Sequence, residues 1–187
     1  MDANRLPGTT IECKLTLGIA ETIFDPMFLS GGLILSQATE LLGIEGYMVQ
    51  NWVKRKYLVP PENKKYSKRQ FARLMIINFL KDSFTFDQIV KLLSYVNGVL
   101  ADYSDDTIND YELYSYFVNT LVMTTKDDGV DLSNLSSAID HVIGDYVPAF
   151  DYSKDRLKTV LEIMVTSYQS LLIRRQALNI FFKLDNK

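Results

Sequence analysis

The sequence predicts a mainly all-α protein, a helix-turn-helix carrying a short wing and followed by a helical C-terminal domain. Three observations predict it. Apolar residues recur three and four apart in a series of short segments from Ser36 onward. Those segments are punctuated by capping and turn residues, above all Ser67 with Gln70 and Thr85 with Gln88, each a Ser/Thr-x-x-Gln capping box. Opposite charges are also segregated along the chain. Between Ser36 and Lys81 nine Lys/Arg face three acids, a balance of +6, whereas from Ala101 to Asp155 twelve acids face two lysines, a balance of −10. Such asymmetry separates a zone suited to a polyanion from one that would repel it.

Taken in order, residues 1–30 are expected to be an N-terminal arm of irregular structure. TTIECKLTLGIA is compatible with a strand or an extended arm, and FDPMFLSGG ends in a turn. Residues 31–98 form the next unit. Its first helix is SQATELL, with Ser36 as N-cap and Gly43 at the left-handed C-terminal position. A second short helix spans about Gly46 to Lys54, its inward face made by Val49, Trp52 and Val53. YLVPPENKKY then carries two prolines and no helical period, which suits an extended loop or hairpin.

Helices are expected after both capping boxes. Phe71, Leu74, Met75 and Asn78 line one face of the first, and Ile89, Leu92, Leu93 and Val96 one face of the second, closed by Asn97-Gly98. Residues 99–187 read as an acidic all-helical domain for dimerisation or effector binding. Its helices cover Asp105 to Thr125, Leu132 to about Tyr146, and Ser153 to about Leu184, with Lys126–Gly129 as a turn between the first two. In the last helix Leu157, Leu161, Met164, Tyr168 and Leu171 alternate four and three apart, and Leu178 and Phe182 extend the series past Arg174 and Arg175.

A helix-turn-helix needs a small residue at the helix crossing, a turn residue tolerant of positive φ, and apolar residues that seat the second helix. Ala38, Gly43, Val49 and Trp52 stand at those offsets. The stretch GLILSQATELLGIEGYMVQNWVKRKYLVPP followed by KKYSKRQFARLMIINFLKDSFTFDQIVKLL resembles the DNA-binding domain of the MerR family of bacterial regulators. The parts that carry the likeness are Gly43-Ile44, Leu58-Val59-Pro60, Tyr66-Ser67 and the junction Ser83–Ile89. More narrowly, SGGLILSQ with NWVKRKYLVPPENKKYSKRQFAR is similar to bacterial proteins grouped as domain of unknown function 1836, whose members are presumed MerR-like regulators. Gln50 and Asn51 stand where the MerR recognition helix carries Arg and Tyr, and the wing is shorter by about four residues, so the family's operator sequence does not carry over.

The expected function is therefore a sequence-specific, DNA-binding transcriptional regulator, with double-stranded DNA as partner and a homodimer formed through the C-terminal helix. Tyr47, Gln50 and Asn51 are the candidate base contacts, because Gln and Asn can hydrogen-bond adenine N6 and N7 together. Lys54, Arg55, Lys56, Lys64, Lys65, Lys68 and Arg69 are the candidate phosphate contacts. The plainer alternative for each is a solvated surface, and for Trp52 a place in the core. Two other uses of the scaffold stay open, a protein-interaction module and an excisionase-like architectural DNA binder.

The acidic half holds seven of the eleven tyrosines, so a small-molecule effector is a further candidate partner beside plain core packing. His141 and Cys13 are too far apart in sequence to suggest a zinc site, and His141 lacks the partners of a general base. No GxSxG, phosphate-binding glycine loop or HExxH occurs, so neither an enzyme nor a bound cofactor is expected. The lone cysteine, the absence of an 18-residue apolar run and the lack of a signal-like start lead to the expectation of a cytoplasmic protein without a membrane span.

Overall fold

The computed structural model describes residues 5–126 and 129–184. Eight α-helices among these residues carry almost all the regular structure: α1 (Ile19–Met27), α2 (Leu35–Leu42), α3 (Gly46–Lys54), α4 (Lys68–Leu80), α5 (Phe86–Asn97), α6 (Asp110–Thr124), α7 (Leu135–Val142) and α8 (Ser153–Phe181). Two minimal antiparallel ladders complete it. Strand β1 (Leu33–Ile34) pairs with β2 (Lys65–Tyr66) in the register Leu33↔Tyr66, and β3 (Thr125–Lys126) pairs with β4 (Gly129–Val130). The two middle positions of the expected turn, 127 and 128, lie outside the described residues. Among the described residues no helix is long and apolar enough to cross a membrane.

Helix α4 is the axis of the molecule. Ser67 starts it through the expected box: the Gln70 amide donates to the Ser67 hydroxyl at 3.2 Å, and the Ser67 amide donates back to the Gln70 side chain at 2.9 Å. The sequence predicts one buried face, yet every residue from Gln70 to Leu80 is buried. The reason is that neighbours cover it on several sides: α6 packs along it, α2 touches it, and the N-terminal arm lies across its far end. At Gly8 (φ +76) a Cβ would stand 2.2 Å from the Met75 carbonyl oxygen, so only glycine lets the arm lie this close. The Asn78 side chain then donates to the carbonyls of Gly8 (2.8 Å) and Leu42 (2.9 Å), joining arm, α2 and α4.

The N-terminal segment corrects the expectation of an irregular arm over residues 1–30. Residues 19–27 form a helix whose Phe24 is fully buried, set edge-on against Phe71 of α4 (5.8 Å) and Tyr114 of α6 (6.1 Å). Pro26 in its last turn disguised it, although a proline there leaves the first turns of a helix intact.

Helix α6 starts at Asp110 rather than Asp105, because Asn109 caps it by accepting from the amides of Tyr111 (2.9 Å) and Glu112 (3.0 Å). The acids before it have other partners. Asp105 accepts from the Val99 amide at 3.1 Å, and Asp106 pairs with Arg69. Buried side chains from Leu6 to Tyr168 make one continuous core that runs through both the 31–98 and the 99–187 stretches. The stripe Leu157, Leu161, Met164 and Tyr168 of α8 is used within that core, against α5, α6 and α7. It is therefore not the exposed seam that a dimer element would present.

Candidate nucleic-acid interface

Helices α2 and α3 meet across a turn at Gly43. There the backbone is left-handed (φ 65°, ψ 37°), and the amides of Gly43 and Ile44 donate to the carbonyls of Glu40 and Thr39 at 3.2 and 3.1 Å. Val49 and Trp52 bury the inner side of α3. What remains outward is Tyr47, Gln50, Asn51 and Lys54, spaced three and four apart and all exposed, with Tyr47 at 63%. Arg55 and Lys56 follow at the end of the helix, also exposed. Lys56 takes φ 61°, which lets the Tyr57 amide reach back to the Trp52 carbonyl at 2.9 Å.

The chain then leaves α3 along a fixed path. The Tyr57 ring stacks on Phe86 of α5 (5.1 Å, 9°), and Leu58 is buried. Gln70 donates to the carbonyls of Val59 (3.1 Å) and Pro60 (2.9 Å), while Arg73 donates to the Tyr57 carbonyl at 3.0 Å. Beyond the prolines the backbone reverses over Glu62–Lys65, with the Lys65 amide donating to the Glu62 carbonyl at 2.8 Å. Asn63 (φ 48°) and Lys64 (φ 64°) are both left-handed, the dihedral signature of a two-residue type I′ hairpin turn. This turn projects Lys64 beside α3. Ile34, Val53, Pro61 and Tyr66 line an apolar groove between the two, with Gln50 and Lys64 also on its walls.

The seven candidate phosphate contacts separate into two sets. Lys54, Arg55, Lys56 and Lys64 are exposed and make no ion pair to a described carboxylate. Lys65 is exposed as well and donates to the Ser30 carbonyl at 3.1 Å. Lys68 and Arg69 behave otherwise, since each already holds a carboxylate of this chain. Lys68 pairs with Asp25 and lies 3.5 Å from the centre of the Tyr111 ring. Arg69 pairs with Asp106, stands 3.6 Å from Asp110 and covers the Tyr103 ring at 4.0 Å. The hydrogen bond from Lys68, and after it the one from Tyr111, holds the Asp25 carboxyl below the usual carboxylate range. Burial pushes Asp106 up, against the pull of Arg69.

Sequence reasoning missed the inner half of this arrangement. Arg73, only 8% exposed, pairs with Asp110 at 3.2 Å, and Asn97 donates to the same carboxylate at 3.1 Å. An arginine inside an otherwise apolar helical run was the available signal, since a buried cation requires an acid. Gln70 was legible as a capping residue, but nothing in the sequence announced that its amide nitrogen also holds the loop. His141 is exposed and Cys13 half-buried. Among the described residues no group of three His, Cys, Asp or Glu is placed to hold a metal ion.

Residues 33–117 match the family model Domain of unknown function (DUF1836). The DUF1836 match begins at β1 and ends inside α6, so it takes in α3, the Asn63-Lys64 turn and the Arg73–Asp110 pair together. Among curated proteins, Uncharacterized protein YkrK of Bacillus subtilis (strain 168) is 34% identical over 94 residues, covering 46% of this chain and 40% of the relative. The shared stretch thus spans less than half of that relative's length. No solved structure matches the chain.

Proposed function

We propose that the unit of residues 31–98 binds duplex DNA as a winged helix-turn-helix of the MerR type, and that the protein is a transcriptional regulator. In this reading α3 enters the major groove. Gln50 and Asn51 meet base edges, Tyr47 meets sugar or a thymine methyl, and Lys54, Arg55, Lys56, Lys64 and Lys65 meet phosphates. One observation carries it: the polar stripe Tyr47, Gln50, Asn51, Lys54 is exposed next to Arg55, Lys56 and Lys64, which make no ion pair to a described carboxylate. The acidic helices keep the polyanion on this side, because their charge repels phosphate.

Fluorescence anisotropy of the full chain with labelled random duplex DNA tests the reading. The expected result is affinity whose logarithm falls linearly with the logarithm of salt concentration, at a slope of roughly −0.9 for each phosphate neutralised. No binding at low salt sinks it. The apolar groove between α3 and the Lys64 turn favours a second reading, a protein-interaction module that seats an apolar side chain there. That alternative predicts no DNA binding and a loss of partner capture on Val53→Asp.

A further inference from the structure

The N-terminal arm, the end of α4 and α8 do not close completely on one another. They leave a cavity of about 140 Å³, walled by the arm from Arg5 to Thr9, by the last turn of α4 with Lys81 and Asp82, and by α8 at Tyr168 and Arg175. That is more room than one water needs, and less than the roughly 300 Å³ at which pockets for drug-sized molecules begin. Phe79 and Tyr168, both buried with ring centroids 6.1 Å apart, exclude water from one side of it.

The wall is cationic. Arg5, Lys81 and Arg175 reach it from three separate parts of the chain, against the single carboxylate of Asp82, a balance of three positive charges to one negative. Arg5 is shared with Glu12, which bonds it at 3.0 Å. Lys81 and Arg175 form no ion pair with a described carboxylate. Like charges gathered around one space repel, and an anion placed between them turns that repulsion into attraction.

The hydrogen-bonding inventory points the same way. Asn78 already donates to the carbonyls of Gly8 and Leu42, and the Thr9 hydroxyl donates to the Leu6 carbonyl at 3.0 Å. The donors left to meet a ligand are therefore those of the cations. Lys81 is half-buried, its ammonium donates to the Asn78 side-chain carbonyl, and burial holds its pKa below the ordinary lysine value against the pull of Asp82. An ammonium so placed gains more from an anion than a fully solvated one does, because the interaction is less screened.

We infer that this cavity is a binding site for a small dianion, a phosphate or a short dicarboxylate, held by Lys81 and Arg175 together with Arg5. Because the arm supplies one wall, the bound anion also fixes the arm against α4 and α8. The DNA reading of residues 31–98 does not enter the inference.

Isothermal titration calorimetry of the full chain with inorganic phosphate and with succinate, each against sodium chloride of equal ionic strength, tests it. The expected result is one site per chain for at least one of the two, with a dissociation constant on the order of 1 mM or tighter. Arg175→Glu, at an exposed position, should leave the melting of the free chain unchanged and weaken binding on the order of tenfold or more. Arg174→Glu, equal in net charge but off the wall, and Lys64→Glu beside α3 should each stay within about twofold of the parent chain. Exchange of the Leu6 amide, which donates to the Ile11 carbonyl at 3.1 Å, should slow on saturation.

No binding of either anion beyond the chloride control overturns the inference. Equal weakening by Arg174→Glu and Arg175→Glu does so too, since binding would then reflect general surface charge. A larger loss on Lys64→Glu than on Arg175→Glu would move the anion to the α3 face, and unchanged exchange at Leu6 would likewise place it away from the arm.

Discussion

Two cationic stretches separated by only a few residues have opposite fates in this molecule. From Lys54 to Lys56, and again at Lys64, the cations point into solvent beside the exposed stripe of α3. From Lys68 to Arg73 they turn inward, each to its own carboxylate: Lys68 to Asp25, Arg69 to Asp106, and Arg73 to Asp110. The first set stays exposed, and Arg73 of the second helps to fix the path that joins its two parts. Arg73 and Gln70 grip the carbonyls of Tyr57, Val59 and Pro60, so the path from α3 to the Lys64 turn is tied to the junction of α4, α5 and α6. A run of Lys and Arg in a sequence is thus two different objects according to whether an acid from elsewhere in the chain reaches it.

The largest effect is expected where that inner network is broken. Asp110→Ala leaves Arg73 buried without its acid, and should cost about 3–5 kcal/mol in denaturant unfolding. A cost within experimental error would mean that water replaces the carboxylate and the network is not structural. Next come Gln50→Ala and Asn51→Ala. Each should lose about 1–3 kcal/mol of discrimination between a selected duplex and a random one, with no change in melting. Uniform weakening on all sequences would remove α3 as the reading element.

Lys64 sharpens the comparison through two measurements. Lys64→Ala should weaken every duplex alike and reduce the salt slope by about 1. Lys64→Gly removes the same charge but relieves the left-handed backbone, so it should melt higher than Lys64→Ala by an amount equivalent to about 1 kcal/mol. Equal melting of the two variants would show that the turn carries no strain.

The smallest effect is expected at Lys68. Its ammonium already has a carboxylate, so Lys68→Ala should leave the salt slope of DNA binding nearly unchanged. Asp25 supplies the internal readout. Its folded pKa is depressed, so its contribution to stability is present above the ordinary carboxylate pKa and is lost as pH falls through the depressed value. In Lys68→Ala the carboxyl titration followed by NMR should move up toward the ordinary range, and the acid side of the stability profile should flatten. An unmoved titration would contradict the assignment of Lys68 as the main cause.

Much of this was legible before any coordinates. Both Ser/Thr-x-x-Gln boxes start helices, Gly43 ends one in the left-handed conformation, and Val49 and Trp52 are buried while Gln50 and Asn51 are not. These features depend on neighbours within a few residues, where capping geometry and helical period are decided locally. Helix α1 was not legible, since Pro26 and the glycines at 18, 31 and 32 read as loop punctuation while its stabilisation comes from rings on α4 and α6, far away in sequence. The type I′ turn at Asn63-Lys64 was half legible: Asn tolerates the left-handed region, but a lysine after it does not advertise one.

Local chemistry thus determined where α4 and α5 begin and where α2 ends, which residues of α3 face outward, and which stretch concentrates positive charge. It did not determine the start of α2, where Ile34 is the cap and the expected cap Ser36 lies inside the helix. Tertiary structure alone decided which cations remain available, that α4 is buried on every side, and where α8 stops packing on its own chain. The physical reason is range. Caps, turns and periodicity are settled by residues in covalent proximity, whereas charge neutralisation and burial depend on what the fold brings within a few ångströms. Asp25, Asp106 and Asp110 lie 43, 37 and 37 residues from the cations they neutralise.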